Sequence, residues 1–209
     1  MKFDQDFKDA IAELPTKEKD KLLIRLLKKD ISLANQLYFQ LIESRSIEEL
    51  RKEVEYLINR ELNKSSKHLY SAGILLMYLR ELSGRINEHV ATTKDKYGEP
   101  YLNCYMLTNG LKINREELKK FANHETQKLY VYIVARIFKI LTQVNALHED
   151  LKYDFKEFFR ELANEIEENE SLMKMTIYHG LDINWLIRLE IPNNIIVIQK
   201  DLRKRGYLK

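Results

Sequence analysis

The chain has 209 residues, of which 44% are hydrophobic and 10% aromatic, a content that supports a packed core and excludes a wholly disordered chain. It contains 35 basic and 32 acidic residues, and the resulting net charge of +3 gives no strong overall attraction to an anionic partner. Only 6 Gly and 3 Pro disfavour a turn-rich β-sandwich or barrel, and the single cysteine, Cys104, excludes an internal disulfide.

No segment predicts export or membrane insertion. Residues 1–6 lack the apolar stretch of a secretory signal, and the longest apolar run, 129–141, is short and contains Arg136 and Lys139. We therefore expect a cytoplasmic protein that does not enter a membrane.

Helical periodicity and capping signals organise the first half of the chain. A short amphipathic segment over 3–14 ends at Pro15, and apolar residues spaced by three or four predict helices over 16–29 and 31–42. Asp30 is positioned to cap the second of these. Ser46 and Glu49 form a capping-box signature that opens a further helix.

The second half continues the same pattern around one interruption. A strongly apolar helix is predicted over 67–90, and residues 92–113 contain the clearest turn signals of the chain, so we expect an irregular insertion there. A short helix is expected from Asn114 to about Ala122. Helices over 126–146 and 147–169 follow, although the β-branched run within 131–134 is also compatible with a buried strand.

The C-terminal segment is ambiguous by propensity. After the break at 191–194, the run 195–198 is β-branched, but the charged residues that follow it favour a helix capped by Gly206.

The insertion carries the most distinctive side chains. Tyr97, Tyr101 and Tyr105 recur every four residues on a segment predicted to be irregular, and tyrosines on such segments are favoured at binding surfaces. Two alternatives remain open: the rings pack the insertion down as a lid, or they belong to an extra helix over 100–108.

Basic residues form separate rows in the sequence. These rows suggest nucleic-acid binding as the alternative to a protein-binding function. Phosphate binding needs such clusters on one surface. The candidate basic patch comprises Lys17, Lys21, Arg25 and Lys28 near the N-terminus and Lys200, Arg203, Lys204 and Arg205 in the tail.

Catalytic chemistry finds little support. Cys104 has no histidine nearby in the sequence, no glycine-rich loop suits a phosphate, and no histidine pair has metal-ligand spacing. His124 and His148 lie on consecutive predicted helices and could converge on one metal ion, but we expect two surface or capping histidines and no metal site. The acidic row over 150–168 predicts a solvated helix face or a docking face for a basic partner.

These patterns together predict an all-α fold in a single domain over 1–209, with eight or nine helices in sequential antiparallel pairs. Either a short HEAT- or armadillo-like stack or a compact orthogonal bundle satisfies them. We expect a non-enzymatic adaptor or scaffold that binds a protein or peptide and needs no cofactor or metal. A nucleic-acid-associated protein is the alternative. The oligomeric state is not predicted.

Overall fold

The computed structural model describes residues 3–208, and within this range the chain is all-α with no strand. The chain divides into two compact units, one formed by residues 1–44 with 91–93 and the other by 45–90 with 94–209. The all-α prediction is confirmed, including for the β-branched runs at 131–134 and 195–198, which are both helical. The single-domain expectation stays a prediction.

The first unit contains three short helices. They are α1 (Gln5–Glu13), α2 (Thr16–Leu27) and α3 (Ile31–Leu41). The Asp4 carboxylate caps α1 by accepting from the Phe7 amide at 2.8 Å, and the Asp30 carboxylate caps α3 by accepting from the Leu33 amide at 3.0 Å. Both caps satisfy amides that a helix leaves unpaired in its first turn.

The second unit contains the remaining helices. They are α4 (Ile47–Lys67), α5 (Ala72–Thr93), α6 (Gly98–Leu118), α7 (Asn123–Asn145), α8 (Glu149–Tyr153), α9 (Phe155–Glu167), α10 (Glu170–Tyr178), α11 (Asn184–Ile187) and α12 (Ile195–Lys204). Helix α5 ends in residues 91–93, which are grouped with the first unit. The number of helices exceeds the eight or nine predicted.

The capping box that opens α4 is confirmed. The Glu49 amide donates to Ser46 Oγ at 3.1 Å, and the Glu49 carboxylate accepts from the Ser46 amide at 2.7 Å. A similar carboxylate reaches back at the start of α7, where Glu125 accepts from the Ala122 amide at 2.8 Å. The short helix predicted from Asn114 is wrong, because residues 98–118 form one continuous helix.

The irregular insertion predicted over 92–113 is also wrong. Pro100 falls in the first turn of α6, where the absence of an amide hydrogen costs no helical hydrogen bond. Asn103, Asn109 and Asn114 each donate a side-chain amide to a backbone carbonyl one turn earlier, at 2.7 to 2.9 Å. These bonds use the side-chain amide donors within a largely buried helix, whereas the buried Oδ1 atoms of Asn103 and Asn114 have no hydrogen-bond partner among the described residues.

Helix α6 is central to the second unit. It packs against α4, α7 and α9, while α7 also contacts α10 and α12. The core contains fully buried side chains from α4, α6, α7 and α9, such as Ile58, Leu102, Phe138 and Leu162. The helix predicted over 147–169 is divided at Asp154, so that α8 and α9 are separate. Gly206, with φ +91°, follows α12 as expected.

Candidate functional site

The three tyrosines singled out in the sequence lie on one face of α6 and are half-buried. Tyr97 and Tyr101 stack with ring centroids 6.1 Å apart, and Tyr105 continues the row at the same spacing from Tyr101. Phe155 and Phe158 of α9 complete the cluster, with centroids 5.3 Å from Tyr97 and 4.9 Å from Tyr101. This aromatic cluster joins α6 to α9.

The tyrosine hydroxyls extend these contacts to α4. Tyr105 Oη accepts from Asn59 Nδ2 at 2.6 Å. Burial, with the nearby Glu55 carboxylate, raises the pKa of Tyr101, so its hydroxyl stays protonated. The cluster therefore has a clear structural role, and a binding role for these tyrosines stays a prediction.

A buried polar network, absent from the sequence predictions, joins α4 and α5 to the start of α6. The Arg51 guanidinium donates to both oxygens of Asp95, from Nε at 2.8 Å and from Nη2 at 2.9 Å. His89 Nε2 lies 3.3 Å from Asp95 Oδ2, and the Gly98 amide donates to Asp95 Oδ1 at 2.8 Å. Asp95 is only 5% exposed, so all these contacts are removed from water.

The network keeps the Asp95 carboxylate charged. Burial by itself would raise its pKa, but hydrogen bonds from His89, Arg51 and the Gly98 amide outweigh burial and lower the pKa to about 2. A charged acid, a histidine and an arginine therefore meet at the start of α6. Their geometry is that of an anchor for the first turn of α6.

We expect Gly98→Ala to destabilise the protein by about 2–3 kcal/mol through overpacking of this network. An added Cβ would lie 1.9 Å from Asp95 Oδ2 and 2.8 Å from Arg51 Nε. The matched control is Gly84→Ala in α5, where nothing lies within 4 Å of an added Cβ and alanine should stabilise the helix by about 0.5–1 kcal/mol. Urea denaturation measures both, and a Gly98→Ala variant as stable as wild type would contradict the tight packing.

The first unit presents the most extensive apolar surface. No residue of 3–44 is buried, and eleven large apolar side chains there are 40–75% exposed. They are Phe3, Phe7, Ile11, Leu23, Ile24, Leu26, Ile31, Leu33, Tyr38, Leu41 and Ile42. Large contiguous apolar patches on protein surfaces are typical of interaction sites.

Charge is unevenly distributed over these three helices. Asp6, Asp9 and Glu13 outweigh Lys8 in α1, and Asp4 caps it, whereas α2 carries the predicted basic row and α3 has no charged residue. Three members of that row, Lys21, Arg25 and Lys28, line a shallow cavity of about 360 Å³ together with Asp20 and Ile24. The cavity thus combines positive charge with apolar area.

The second half of the predicted basic patch lies on α12 and its C-cap, in the other unit. Arg205 is paired with Asp201 at 2.8 Å. Arg203 lines a separate cavity with residues of α7. Nucleic-acid binding by these groups stays a prediction.

The residues considered for catalysis are found in structural settings. Cys104 is buried, its thiol donates to the Phe158 carbonyl at 3.6 Å, and burial raises its pKa to about 12. The acidic row is interrupted at Asp154, and Glu165 is buried against Arg115 at 2.7 Å. Across residues 3–208, no group of three His, Cys, Asp or Glu side chains could hold a metal ion. Within the same range, no helix is long and apolar enough to cross a bilayer.

Comparison with known proteins adds no family to this description. The chain matches no family model, no curated protein and no solved structure.

Proposed function

We propose that the chain is a non-enzymatic interaction protein that acts through residues 3–44 and binds a second copy of itself. The observation that carries this proposal is the exposed apolar surface of α1, α2 and α3, which contain no buried residue. The second unit, which is the larger of the two, is also all-α. Its central helix, α6, packs against α4 and α9, which are not its neighbours in sequence, as well as against α7, and this arrangement favours a bundle over a repeat stack.

The first unit is small, and its size is a reason to expect a binding partner. A segment of about 40 residues rarely forms a stable core without a disulfide, a metal or an oligomer. Its exposed large side chains leave an apolar area on the order of 1,000 Å² in water, more than the roughly 800 Å² that each partner contributes to a standard interface. A partner that covers these helices therefore stabilises them as it binds.

Charge complementarity favours a second copy as that partner. The cavity on α2 is apolar at Ile24 and carries Lys21, Arg25 and Lys28 against the acid Asp20. Helix α1 is an amphipathic acidic helix whose Phe7 and Ile11 are 49% and 40% exposed. In a two-fold dimer, α1 of each copy lies against α2 of the other, and both contacts repeat by symmetry.

Charge reversal tests the dimer and its pairing together. An acid-reversed variant, Asp9→Lys with Glu13→Lys, and a base-reversed variant, Lys21→Glu with Arg25→Glu, should each weaken self-association about ten-fold, because like charges then face each other. Mixing the two variants should restore association as a heterodimer, in which opposite charges meet at both contacts. Sedimentation velocity of the full chain measures all three samples.

Two further variants distinguish a specific effect at the proposed surface from the general effect of adding a charge to an exposed apolar position. Leu41→Lys changes a side chain that is 75% exposed and should abolish the dimer, whereas Tyr70→Lys, 78% exposed in the second unit, should leave it intact. A wild-type chain that stays monomeric would contradict self-association. A dimer insensitive to all changes within 3–44 would contradict the proposed surface.

A further inference from the structure

Positive side chains gather around Tyr132 in the second unit. Arg136 and Lys139 of α7 and Arg203 of α12 line a cavity of about 190 Å³ with Tyr132 and Ala135. Only Arg203 belongs to the basic patch predicted from the sequence. The other cations that line the cavity come from α7.

Hydrogen bonds fix the tyrosine and the first arginine. Tyr132 Oη donates to the Leu79 carbonyl at 3.2 Å and lies 2.7 Å from Ser83 Oγ. It also accepts from Arg136 Nη2 at 2.9 Å, and the Arg136 Cζ lies 5.2 Å from the ring centroid. The hydrogen-bonding capacity of the Tyr132 hydroxyl is therefore filled. Arg136 is held in place by one of its N–H groups, and its other N–H donors are available to a ligand.

A further arginine adds to the positive potential. The Arg80 Cζ of α5 lies 5.9 Å from the same ring centroid. Guanidinium groups stack on aromatic faces, so one tyrosine ring organises two of the cations.

Carboxylates balance only part of this positive charge. Lys139 is paired with Glu99 at 2.7 Å. Within the described range 3–208, no carboxylate lies within 4.0 Å of Arg80, Arg136 or Arg203. Like charges brought together without counter-charges repel one another, and a bound anion would remove that repulsion.

We propose that this cavity binds a phosphoryl group, as inorganic phosphate or as the terminal phosphate of a monoester. Arginine presents paired donors that match the oxygens of a phosphate, and Arg136 and Arg203 face the cavity from two different helices. The dianion matches the excess positive charge better than a carboxylate or a phosphodiester. The small volume accommodates one tetrahedral group and leaves the rest of a monoester outside.

Titration of the full chain with inorganic phosphate and with phenyl phosphate, followed by calorimetry, tests the site. We expect saturable binding of both probes at one site. Arg136→Gln and Arg203→Gln should each weaken binding at least ten-fold, and Arg136→Lys should restore only part of it because an ammonium lacks the guanidinium fork. Arg203 is exposed, so its replacement leaves folding intact.

The matched control is Arg85→Gln, which removes the same charge from an exposed pair with Glu88 at 3.2 Å and should bind phosphate as wild type does. Absence of saturable binding would overturn the proposal, as would equal affinities for Arg203→Gln and Arg85→Gln. A single-stranded oligonucleotide that displaces phenyl phosphate and binds more tightly would overturn it in favour of a nucleic-acid surface.

Discussion

Replacement of Asp95 with asparagine should destabilise the protein by about 3–5 kcal/mol, the usual cost of breaking a buried ion pair. The substitution leaves the Arg51 guanidinium, whose side chain is 14% exposed, without its counter-charge. It also weakens the acceptor of the Gly98 amide at the start of α6. Urea denaturation followed by circular dichroism measures the loss.

The pH dependence provides a second test of the same carboxylate. The folded-state pKa of Asp95 is lowered to about 2 from an ordinary value of 3.8. A group with a lowered pKa in the folded state stabilises the protein above its unfolded-state pKa, and the contribution is lost as the pH falls through the folded value. The stability difference between wild type and Asp95→Asn should therefore be constant above about pH 5 and shrink between pH 4 and pH 2.

Glu53→Gln is a suitable control, because this carboxylate belongs to an ion pair with Arg45 that is largely exposed. Its replacement should change stability by less than about 1 kcal/mol. If Asp95→Asn behaves like Glu53→Gln at every pH, the network does not anchor α6.

Local signals in the sequence were sufficient for much of the helical order. Asp30 and Ser46 were identified as caps because a capping side chain needs only the amides two or three residues away. The helices over 16–29 and 31–42 were predicted within two residues of their observed ends. Interactions between residues within one helical turn can be predicted from a short segment of sequence, because both partners lie in it.

The largest failure, at α6, has a tertiary cause. Residues 97–100 and 109–110 have the composition of turns, but Asp95 supplies the cap and the asparagine side chains find acceptors within the helix. The Asp95 carboxylate is in turn fixed by Arg51, a residue of another helix. A sequence pattern gives no sign of such a partner.

The candidate sites also divide into features that depend on one segment of sequence and features that depend on tertiary packing. The amphipathic spacing of α1 and the basic row of α2 were predicted from the sequence, because a helix displays its own residues at fixed intervals. The cavity at Tyr132 was not, because Arg80, Arg136 and Arg203 come from three helices separated in the chain. Only the packing of α7 brings these cations together.

Replacement of Phe155 with alanine should destabilise the protein by about 3–5 kcal/mol, the cost of deleting a fully buried aromatic ring and leaving a cavity. Phe155 is 0% exposed and contacts the rings of Tyr97, Phe158 and Phe159 at centroid distances of 5.3, 6.1 and 5.7 Å. Helices α6 and α9 pack against each other here, and the rings around Phe155 come from both sides of that contact.

Tyr153→Ala is the matched control, because it deletes a ring two residues earlier that is 66% exposed. It should change stability by no more than about 0.5 kcal/mol. If the two variants lose the same stability in thermal denaturation, the aromatic cluster is not what joins α6 to α9. The row from Tyr97 to Tyr105 would then need another explanation, and the binding surface predicted from the sequence would be the strongest one.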